Sequence, residues 1–568
     1  MPFGAYAPAS AVEWVAAGKD DMAGPKRTAP EVEIAQGRLS GRWKAKGTVA
    51  VFKGIPFAEP PVGARRWKAP GPAPTWSGTR QATKHGPMAI QRAAGFEEFM
   101  GNLLNGQGWH PTRVRGLEAL VKRMPTPEQS EDCLYLSVRT PSLEPSAALP
   151  VMVWIHGGDH QDGSGSDAFY ESNALASHGV VTVSINYRLG LFGYFAHPDL
   201  RAESDQDVSG NYGTLDQIAA LEWVRDNIAA FGGDPDNVTI FGESAGGESV
   251  LHLMTSPLAR GLFHRAIAQS PGSGGQMVPL DRPFLAHPGA EARSRAFADA
   301  AGATGDDPVA QLRSMSADRL HEIVLADDET GDHYPTIDGY VLPESPYAAF
   351  AAGRQAPVPL VIGSNADEGT LLISMMQSPM VEYRYLPVPD DGLQPEVREA
   401  LGDDIDRLIE IYPGLDRGDV GAATDFLGDR LFGAAVYHYA RHHATAGNPT
   451  HVYFFTRVPK QVGQTLGAYH AAEIPFVHGS NVPILPMSSK DKALSREIMR
   501  YWTDHARRAD VNAGAPGVNH PEWPAFDPAD PQWIRFDHTV TVEPVQRREQ
   551  YEIFGALIDR RIADLTAD

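Results

Sequence analysis

The feature that most constrains this chain is the stretch VTIFGESAGG at residues 238–247. Its β-branched and aromatic residues predict a strand, and the small residues after Ser244 predict the start of a helix. Ser244 would then occupy a strained strand-to-helix turn, which needs flanking glycines because Cβ atoms would obstruct it. Such a turn places the serine hydroxyl at a helix N-terminus, where unpaired N–H groups point outward. The stretch therefore predicts an α/β fold that presents a nucleophilic serine.

The composition is that of a large globular protein. The chain has 568 residues, of which 42% are hydrophobic and 21% charged, and its 56 glycines and 46 prolines predict many turns and loops. A formal net charge of −22 disfavours nucleic acid or an anionic membrane as a partner, and we interpret it as a solubilising acidic surface. There is no run of about 18 apolar residues, so we expect no membrane-spanning helix.

The N-terminal residues 1–31 predict a loose leader, because they mix alanine, proline, glycine and charge without periodicity. We expect residues 32–568 to form a single domain, since α/β enzymes with insertions can remain one unit at this length. No basic segment precedes an apolar stretch at the N-terminus, so we predict no signal peptide and a cytoplasmic protein. A periplasmic or secreted location stays open if a signal peptide was removed.

Three continuous apolar runs, at residues 149–155, 180–186 and 358–363, predict strands. Continuous runs are typical of strands that are buried on both faces of a mostly parallel sheet. Over residues 215–231 the apolar positions recur every three or four residues and a Gly-Gly pair follows, which predicts a helix that covers the sheet. The succession of strand, helix and strand favours a right-handed crossover.

Several motifs, taken in order, resemble those of the type-B carboxylesterase/cholinesterase family of α/β-hydrolases. They are GIPFAEPPVG (54–63), SEDCLYL (130–136), NYRLG (186–190), GNYG (210–213), LDQ (215–217), GESAGG (242–247) and DEG (367–369). The resemblance runs from about residue 32 to about residue 558. It implies the α/β-hydrolase fold, with a central, mostly parallel sheet flanked by helices and large loop insertions, and it implies no cofactor.

The resemblance also implies a catalytic triad. By match to the family's DEG segment, Glu368 is the acid and Asp367 its structural neighbour, although Asp367 stays the alternative acid on loop position alone. The segment at 466–477 matches a second family pattern that places the base at His470. A serine hydroxyl is a poor nucleophile until a base accepts its proton, and the base needs an acid to hold its tautomer. We therefore expect Ser244 to attack, His470 to carry the proton and Glu368 to orient the ring.

A tetrahedral intermediate needs hydrogen-bond donors directed at its oxyanion. The family uses an HGGG turn and the N–H after the nucleophile, which correspond here to the oxyanion-hole candidates Gly157, Gly158, Asp159 and Ala245. The third glycine is replaced by Asp159 and the aromatic residue that usually follows by His160, which is the largest departure from the family pattern. A backbone N–H survives the replacement, but the Asp159 carboxylate must turn away from the oxyanion or be neutralised, with His160 as a candidate partner.

Three further residues are candidates for the substrate pocket: His160, Glu243 and Trp109. We expect Asp159 and His160 to shape the acyl pocket for a polar substrate, the alternative being that both face solvent or a neighbouring loop. The residue beside the nucleophile, Glu243, resembles a buried glutamate of the family that holds a water or stabilises the charged site. The connection 92–129, which contains Trp109, predicts a lid-like insertion near the gorge mouth, although its amphipathic spacing also fits packing on the body.

The chain has one cysteine, Cys133, which excludes an intrachain disulfide and a thiolate metal cluster. The family often pairs this position with a cysteine where this chain has Ala89, so we expect Cys133 to be a small buried hydrophobe and a reducing compartment is favoured. We expect no metal at the catalytic histidine, because no ligand cluster accompanies it in the sequence. His442 and His443 are interpreted as surface or packing residues.

The function expected from these patterns is a serine hydrolase that cleaves carboxylic esters through an acyl-enzyme. The substrate would be a small-molecule ester, polar or bulky, and the enzyme a monomer or homodimer. Amides, carbamates and thioesters stay open, because the triad does not distinguish the leaving group. A catalytically inactive binding or adhesion relative is the alternative from another class, but such relatives typically lack the serine or the histidine, and all three triad positions are filled here.

Overall fold

The computed structural model describes residues 28–91, 101, 103–104, 110–121, 127–272, 277–284, 287–326, 328–376, 402–417, 419–458, 465–480, 487–513 and 521–566. Its strands are β1 Glu31–Ile34, β2 Gly37–Ser40, β3 Arg42–Lys44, β4 Val49–Pro56, β5 Thr79–Gln81, β6 Tyr135–Thr140, β7 Leu149–Ile155, β8 Val181–Ile185, β9 Gly233–Glu243, β10 Arg265–Gln269, β11 Val278–Pro279, β12 Thr336–Ile337, β13 Leu360–Asn365, β14 Thr450–Phe455, β15 Gln532–Phe536 and β16 Thr541–Pro544.

Helices lie between these strands and after them. They are α1 Pro111–Val121, α2 Ala174–Ser177, α3 Gly190–Tyr194, α4 Pro198–Ala202, α5 Tyr212–Asn227, α6 Ala245–Thr255, α7 Ala290–Ala300, α8 Pro308–Ser314, α9 Ala317–Ala326, α10 Asp328–Gly331, α11 Pro346–Ala351, α12 Glu368–Met376, α13 Ile405–Ile411, α14 Val420–Gly428, α15 Ala434–Thr445, α16 Ile474–His478, α17 Ser489–Arg508 and α18 Arg548–Thr566. None of the described helices is long and apolar enough to cross a membrane.

The main sheet of the described chain has eleven strands in the order β16-β15-β14-β13-β10-β9-β7-β8-β6-β4-β3. All neighbours from β15 through β8 pair in parallel, and antiparallel pairs close both edges of the sheet. This confirms the predicted central, mostly parallel sheet. Because β9, β10 and β13 are adjacent and parallel, the loops that follow them meet at one edge.

The core occupies both faces of this sheet. Successive side chains of a strand point to opposite faces, and along β7 they enter two separate hydrophobic clusters: Val153 joins one cluster, whereas Met152 and Trp154 join the other. The continuous apolar run of β7 is therefore explained by burial on both sides, as predicted. Helix α5 covers one face and is followed by a 3-10 turn, Ile228–Phe231, that ends at Gly232 in a left-handed conformation.

In the N-terminal half, the predicted leader and the connection 92–129 are described only in part. Strand β1 begins at Glu31, the last residue of the predicted leader, whereas residues 1–27 lie outside the described residues. In the connection 92–129, the described Val114 is buried in the same cluster as Trp154, which supports packing on the body for helix α1. The predicted pocket residue Trp109 lies outside the described residues.

Cys133 is unpaired and 1% exposed, and burial raises the pKa of its thiol, so it is a packed small hydrophobe rather than a reactive group. Next to it in sequence, Glu131 accepts a charge-assisted hydrogen bond of 2.6 Å from Arg66 Nε. This ion pair connects the residues after GIPFAEPPVG to the residues before β6. The Arg66 guanidinium also donates to the backbone carbonyl oxygens of Leu312 and Met315.

Candidate active site

The nucleophile candidate lies on a sharp turn between a strand and a helix. Strand β9 ends at Glu243, α6 begins at Ala245, and Ser244 between them has φ 57 and ψ −128. A non-glycine residue in this region stores roughly 1–3 kcal/mol of strain and persists only when its surroundings hold it. The surroundings here are tight, because a Cβ atom at Gly242 would lie 2.7 Å from Ile155 O. Ser244 is partly exposed while its flanking residues are buried, so the turn presents its side chain as the motif predicts.

The predicted base and acid lie in contact. His470 Nδ1 is 2.6 Å from Glu368 Oε2, and both residues are buried, at 8% and 2% exposure. Helix α12, which follows β13, begins at Glu368, and the segment after β14 carries His470. The neighbouring parallel strands therefore bring together residues 102 apart in sequence. Asp367 does not contact the ring: its carboxylate accepts a 2.6 Å hydrogen bond from the Ala468 N–H and so ties the two loops together.

The second oxygen of Glu368 has partners that the sequence analysis did not single out. Oε1 accepts hydrogen bonds from Ser270 Oγ at 2.6 Å and from the Asn365 N–H at 2.7 Å. Ser270 directly follows the end of β10. Its place at the carboxyl edge of a strand was the only sequence feature that could have indicated a role at this site. These two donors leave Oε2 free to face His470 and fix the carboxylate in one orientation.

Two more buried carboxylates surround the histidine. Glu473 accepts hydrogen bonds from Asn365 Nδ2 at 2.7 Å and from Gln269 Nε2 at 3.0 Å. Glu243 Oε1 lies 3.4 Å from His470 Nε2, and burial raises the pKa of Glu243 well above its ordinary value, with the Glu473 and Glu368 carboxylates adding to the effect. Burial alone would lower the pKa of His470, but Glu243 and Glu368 outweigh it and raise that pKa to about 9.

The contact between nucleophile and base is not formed in this conformation. Among the described residues Ser244 Oγ makes no hydrogen bond, and His470 Nε2 faces Glu243 instead. The Phe432 ring lies 4.5 Å from the imidazole ring and covers one of its faces. In resting active sites such hydrogen bonds are often long and tighten only with substrate bound. Glu368 and His470, the predicted acid and base, are thus in contact, and Glu243, which directly precedes Ser244, lies next to the imidazole.

The turn at residues 157–160, which carries the predicted oxyanion-hole residues, packs against the strand-to-helix turn at Ser244. A Cβ atom at Gly157 would lie 3.1 Å from Ser244 Cβ, so no larger residue fits without displacing the nucleophile. The next three residues, Gly158, Asp159 and His160, all have positive φ, of 106, 53 and 56. A left-handed turn explains the glycines that the family places here, and asparagine and aspartate are the non-glycine residues that tolerate this conformation best.

The Asp159 carboxylate is held by a tyrosine. Its Oδ2 accepts a 3.1 Å hydrogen bond from the Tyr334 hydroxyl, on the segment before β12. The surrounding protein raises the pKa of Asp159 to about 8, through desolvation first and the nearby Glu248 carboxylate second, although the residue keeps an exposed surface and water reaches it. The side chain is thus turned toward Tyr334.

His160 does not pair with Asp159, so that prediction is wrong. Two consecutive left-handed residues send their side chains in different directions, and His160 is 2% exposed, which also excludes the alternative that both face solvent. Its Nε2 lies 3.4 Å from Glu248 Oε2, and its ring stacks on His252 with centroids 5.8 Å apart. Both partners were missed, although Glu248 and His252 follow Ser244 at four-residue spacing on helix α6, where such residues share a face.

Comparison with known proteins identifies the family. The model of the Carboxylesterase family matches residues 28–554. Liver carboxylesterase of Sus scrofa is 36% identical over 550 residues, 89% of this chain and 89% of that protein. The medium-chain fatty acyl-CoA hydrolase precursor of Anas platyrhynchos is 35% identical over 565 residues, 95% of this chain and 94% of that protein. The solved carboxylesterase EST55 of Geobacillus stearothermophilus has a TM-score of 0.75 and 31% identity, and covers 92% of this chain and 99% of its own.

These matches extend over nearly the whole chain and involve enzymes, so an inactive binding module is not favoured. The sheet described above is that of the α/β-hydrolase fold, as its solved neighbours confirm. The strand-to-helix turn presents the Ser244 side chain as expected for a family of serine hydrolases. The chain therefore belongs to the carboxylesterase family of α/β-hydrolases, and it is a serine hydrolase that cleaves carboxylic ester bonds of small molecules.

Proposed function

We propose that Ser244, His470 and Glu368 form the catalytic triad of this esterase. The observation that supports this most directly is the 2.6 Å hydrogen bond between His470 Nδ1 and Glu368 Oε2 beside the strained turn of Ser244. It leaves Nε2 as the ring atom that can accept a proton. Glu368 holds that tautomer and stabilises the imidazolium ion that forms during the reaction.

The reaction then takes two steps. Ser244 Oγ attacks the ester carbonyl while its proton passes to His470 Nε2, and collapse of the tetrahedral intermediate transfers that proton to the leaving alkoxide. Water then attacks the acyl-enzyme with His470 again as the base and releases the acid. The N–H groups of Gly157, Gly158, Asp159 and Ala245 are the proposed oxyanion donors, since Gly157 packs against Ser244, Gly158 and Asp159 continue that turn, and Ala245 follows the serine.

We propose that the acyl side of the pocket takes a polar ester with hydroxyl groups rather than an anionic one. Support comes from Asp159, which is exposed next to the Gly157 turn with the Tyr334 hydroxyl bonded to it, and from Glu248, which follows Ser244 by one turn of helix α6. Carboxyl oxygens accept hydrogen bonds from substrate hydroxyl groups in either protonation state, and the ionised form also repels an anionic substrate. Arg113 and Arg115, which could attract an anionic ester, are exposed on helix α1.

The triad is tested by active-site labelling. A fluorophosphonate probe should modify Ser244, identified by peptide mass mapping, and Ser244→Ala should lose both label and turnover of p-nitrophenyl acetate. Labelling at another serine would refute the assignment.

The proposed acyl pocket is tested by comparing kcat/KM across p-nitrophenyl esters with aliphatic, hydroxylated and carboxylated acyl groups. A preference for carboxylated esters would refute the proposed acyl pocket.

We also propose a cytoplasmic enzyme that is a monomer or homodimer. The location is supported by the unpaired, buried Cys133, since a reducing compartment needs no disulfide. Cell fractionation with an antibody tests the location, and sedimentation equilibrium tests the oligomeric state.

A thioester bond is a further candidate for cleavage, because one relative is named as an acyl-CoA hydrolase. Including a medium-chain acyl-CoA in the substrate panel tests it.

A further inference from the structure

Three side chains of metal-binding type meet between helices α15 and α18. They are His438, His442 and Asp559, and one ligand atom from each lies within 4.8 Å of the others. The two histidines are four residues apart on α15, so their rings share one face of the helix, with centroids 4.4 Å apart. The third group comes from α18: Asp559 Oδ1 lies 3.9 Å from His438 Nδ1. The cluster lies on elements that carry none of the proposed catalytic groups.

The hydrogen bonding of His438 is incomplete. The residue is 1% exposed, and its Nε2 lies 3.5 Å from the Tyr347 carbonyl oxygen, a contact that needs the proton on Nε2. Within the described part of the chain, Nδ1 is then a buried acceptor without a hydrogen-bond partner, and the group it faces, the Asp559 carboxylate, is also an acceptor. In the other tautomer the proton lies on Nδ1. The unfavourable contact is then between Nε2 and the Tyr347 carbonyl oxygen, which would be two facing acceptors.

A cation beside Nδ1 would satisfy both contacts, because it would take the lone pair of Nδ1 and attract the Asp559 carboxylate while Nε2 donates to the Tyr347 carbonyl oxygen. In metal-binding histidines the other ring nitrogen typically donates to a backbone carbonyl or a carboxylate, as Nε2 can donate to Tyr347 here.

A cation already touches part of the cluster. Arg441 Nη2 lies 3.5 Å from Asp559 Oδ2 and 3.2 Å from His442 Nε2. It satisfies the second carboxylate oxygen and leaves the facing pair of Oδ1 and His438 Nδ1 without a positive charge between them. Arg441 would therefore compete with a bound metal ion for the outer ligands, but it does not substitute for one at the buried histidine.

We propose that His438, His442 and Asp559 bind one divalent transition-metal ion, with Zn²⁺ as the matching ion. Two imidazoles and one carboxylate are a donor set that suits zinc, and water would complete its tetrahedral coordination. The ion would connect α18, the last described helix, to α15, which leads into strand β14. Its effect is therefore on the stability of the C-terminal part of the fold and not on ester cleavage.

Isothermal titration of the untagged, metal-free full-length chain with Zn²⁺ tests the site. One equivalent should bind, and saturating Zn²⁺ should raise the thermal midpoint by on the order of 2 °C. Asp559→Asn and His442→Asn should each weaken binding by at least about 10-fold. His110→Asn is the matched control, since it removes an exposed histidine from helix α1's N-terminal flank and should leave the affinity unchanged.

Arg441→Gln separates a metal site from a purely structural ion pair. It removes the competing cation, so it should tighten Zn²⁺ binding, and Co²⁺ titrated into this variant should give the visible absorption of a tetrahedral site. Absence of stoichiometric Zn²⁺ binding in both the parent protein and Arg441→Gln would overturn the proposal. So would binding that persists unchanged in Asp559→Asn and His442→Asn. Fluorophosphonate labelling at the parent rate shows that each variant is folded.

Discussion

The carboxylates on the two sides of Ser244, Glu368 and Asp159, differ in how many hydrogen bonds they accept. On the base side, Glu368 receives hydrogen bonds from Ser270, Asn365 and His470 within 2.7 Å. On the acyl side, Asp159 has a 3.1 Å hydrogen bond from Tyr334. His160 Nε2 is buried there and, within the described chain, makes no hydrogen bond; it lies 3.4 Å from the Glu248 carboxylate.

The difference distinguishes residues that the catalytic reaction requires from residues that determine which substrate binds. A carboxylate whose oxygens are all hydrogen-bonded has one orientation and one protonation state. A histidine that acts as a general base needs such a carboxylate to hold its ring. A buried polar group without a hydrogen bond costs about 1–3 kcal/mol, and a substrate hydroxyl can recover part of that cost. The base side therefore matches the family pattern closely, whereas the acyl side carries the residues that depart from it.

The largest effect is expected from Glu368→Gln on the base side. The variant loses the charge that orients and stabilises His470, so kcat for p-nitrophenyl acetate should fall by about 10³–10⁴-fold. The neighbouring Asp367→Asn is the control: it weakens a loop contact and should lower stability more than kcat. An equal or larger loss of kcat in Asp367→Asn would reassign the acid.

A smaller loss is expected from Ser270→Ala, which removes one of the donors to the Glu368 carboxylate. Hydrogen bonds to charged groups contribute about 1.5–3 kcal/mol, so we expect kcat to fall by roughly 10–100-fold. Ser249→Ala is the matched control, because Ser249 is a buried serine that accepts a hydrogen bond from Gln217 away from the acid. A comparable loss of kcat in both variants would indicate a general packing defect.

The pH profile should respond to Glu243→Gln. The Glu243 carboxylate helps to raise the pKa of His470 to about 9, and His470 must be neutral to act as a base. Activity of the parent enzyme should therefore rise with pH up to that region. Glutamine cannot carry the negative charge that Glu243 holds while His470 is protonated, so the variant lowers the pKa of His470. The acidic limb of kcat/KM should therefore shift to lower pH and raise kcat/KM by about 10-fold at a fixed pH on that limb. A shift to higher pH would contradict this arrangement.

The smallest effect on rate is expected on the acyl side, from Asp159→Gly. Glycine adopts a φ of 53 without strain, so the free energy of unfolding should rise by about 0.5–1 kcal/mol in chemical denaturation. Loss of the carboxylate should raise kcat/KM for simple aliphatic esters a few-fold relative to hydroxylated ones. Tyr334→Phe is the control that keeps the backbone and the carboxylate. An unchanged substrate profile in Asp159→Gly would show that Asp159 has only a structural role.

Local patterns in the sequence were sufficient for the elements that surround the nucleophile. The turn at Ser244, strand β7 and helix α5 follow from glycine spacing, a continuous apolar run and a helical period, all of which act over a few residues. Match to family motifs then gave the pairing of Glu368 with His470, although no local rule relates residues 102 positions apart.

Only the tertiary structure decided which polar groups face each other. The turn at Asp159 and His160 separates two neighbouring side chains, because consecutive left-handed residues point them in different directions. It also brings Ser270 to Glu368, and Asp559 to His438 from another helix. Hydrogen bonds and ion pairs depend on distances of a few ångströms, which arise from the packing of strands and helices, whereas hydrophobic periodicity needs only the direction in which a side chain leaves its own element.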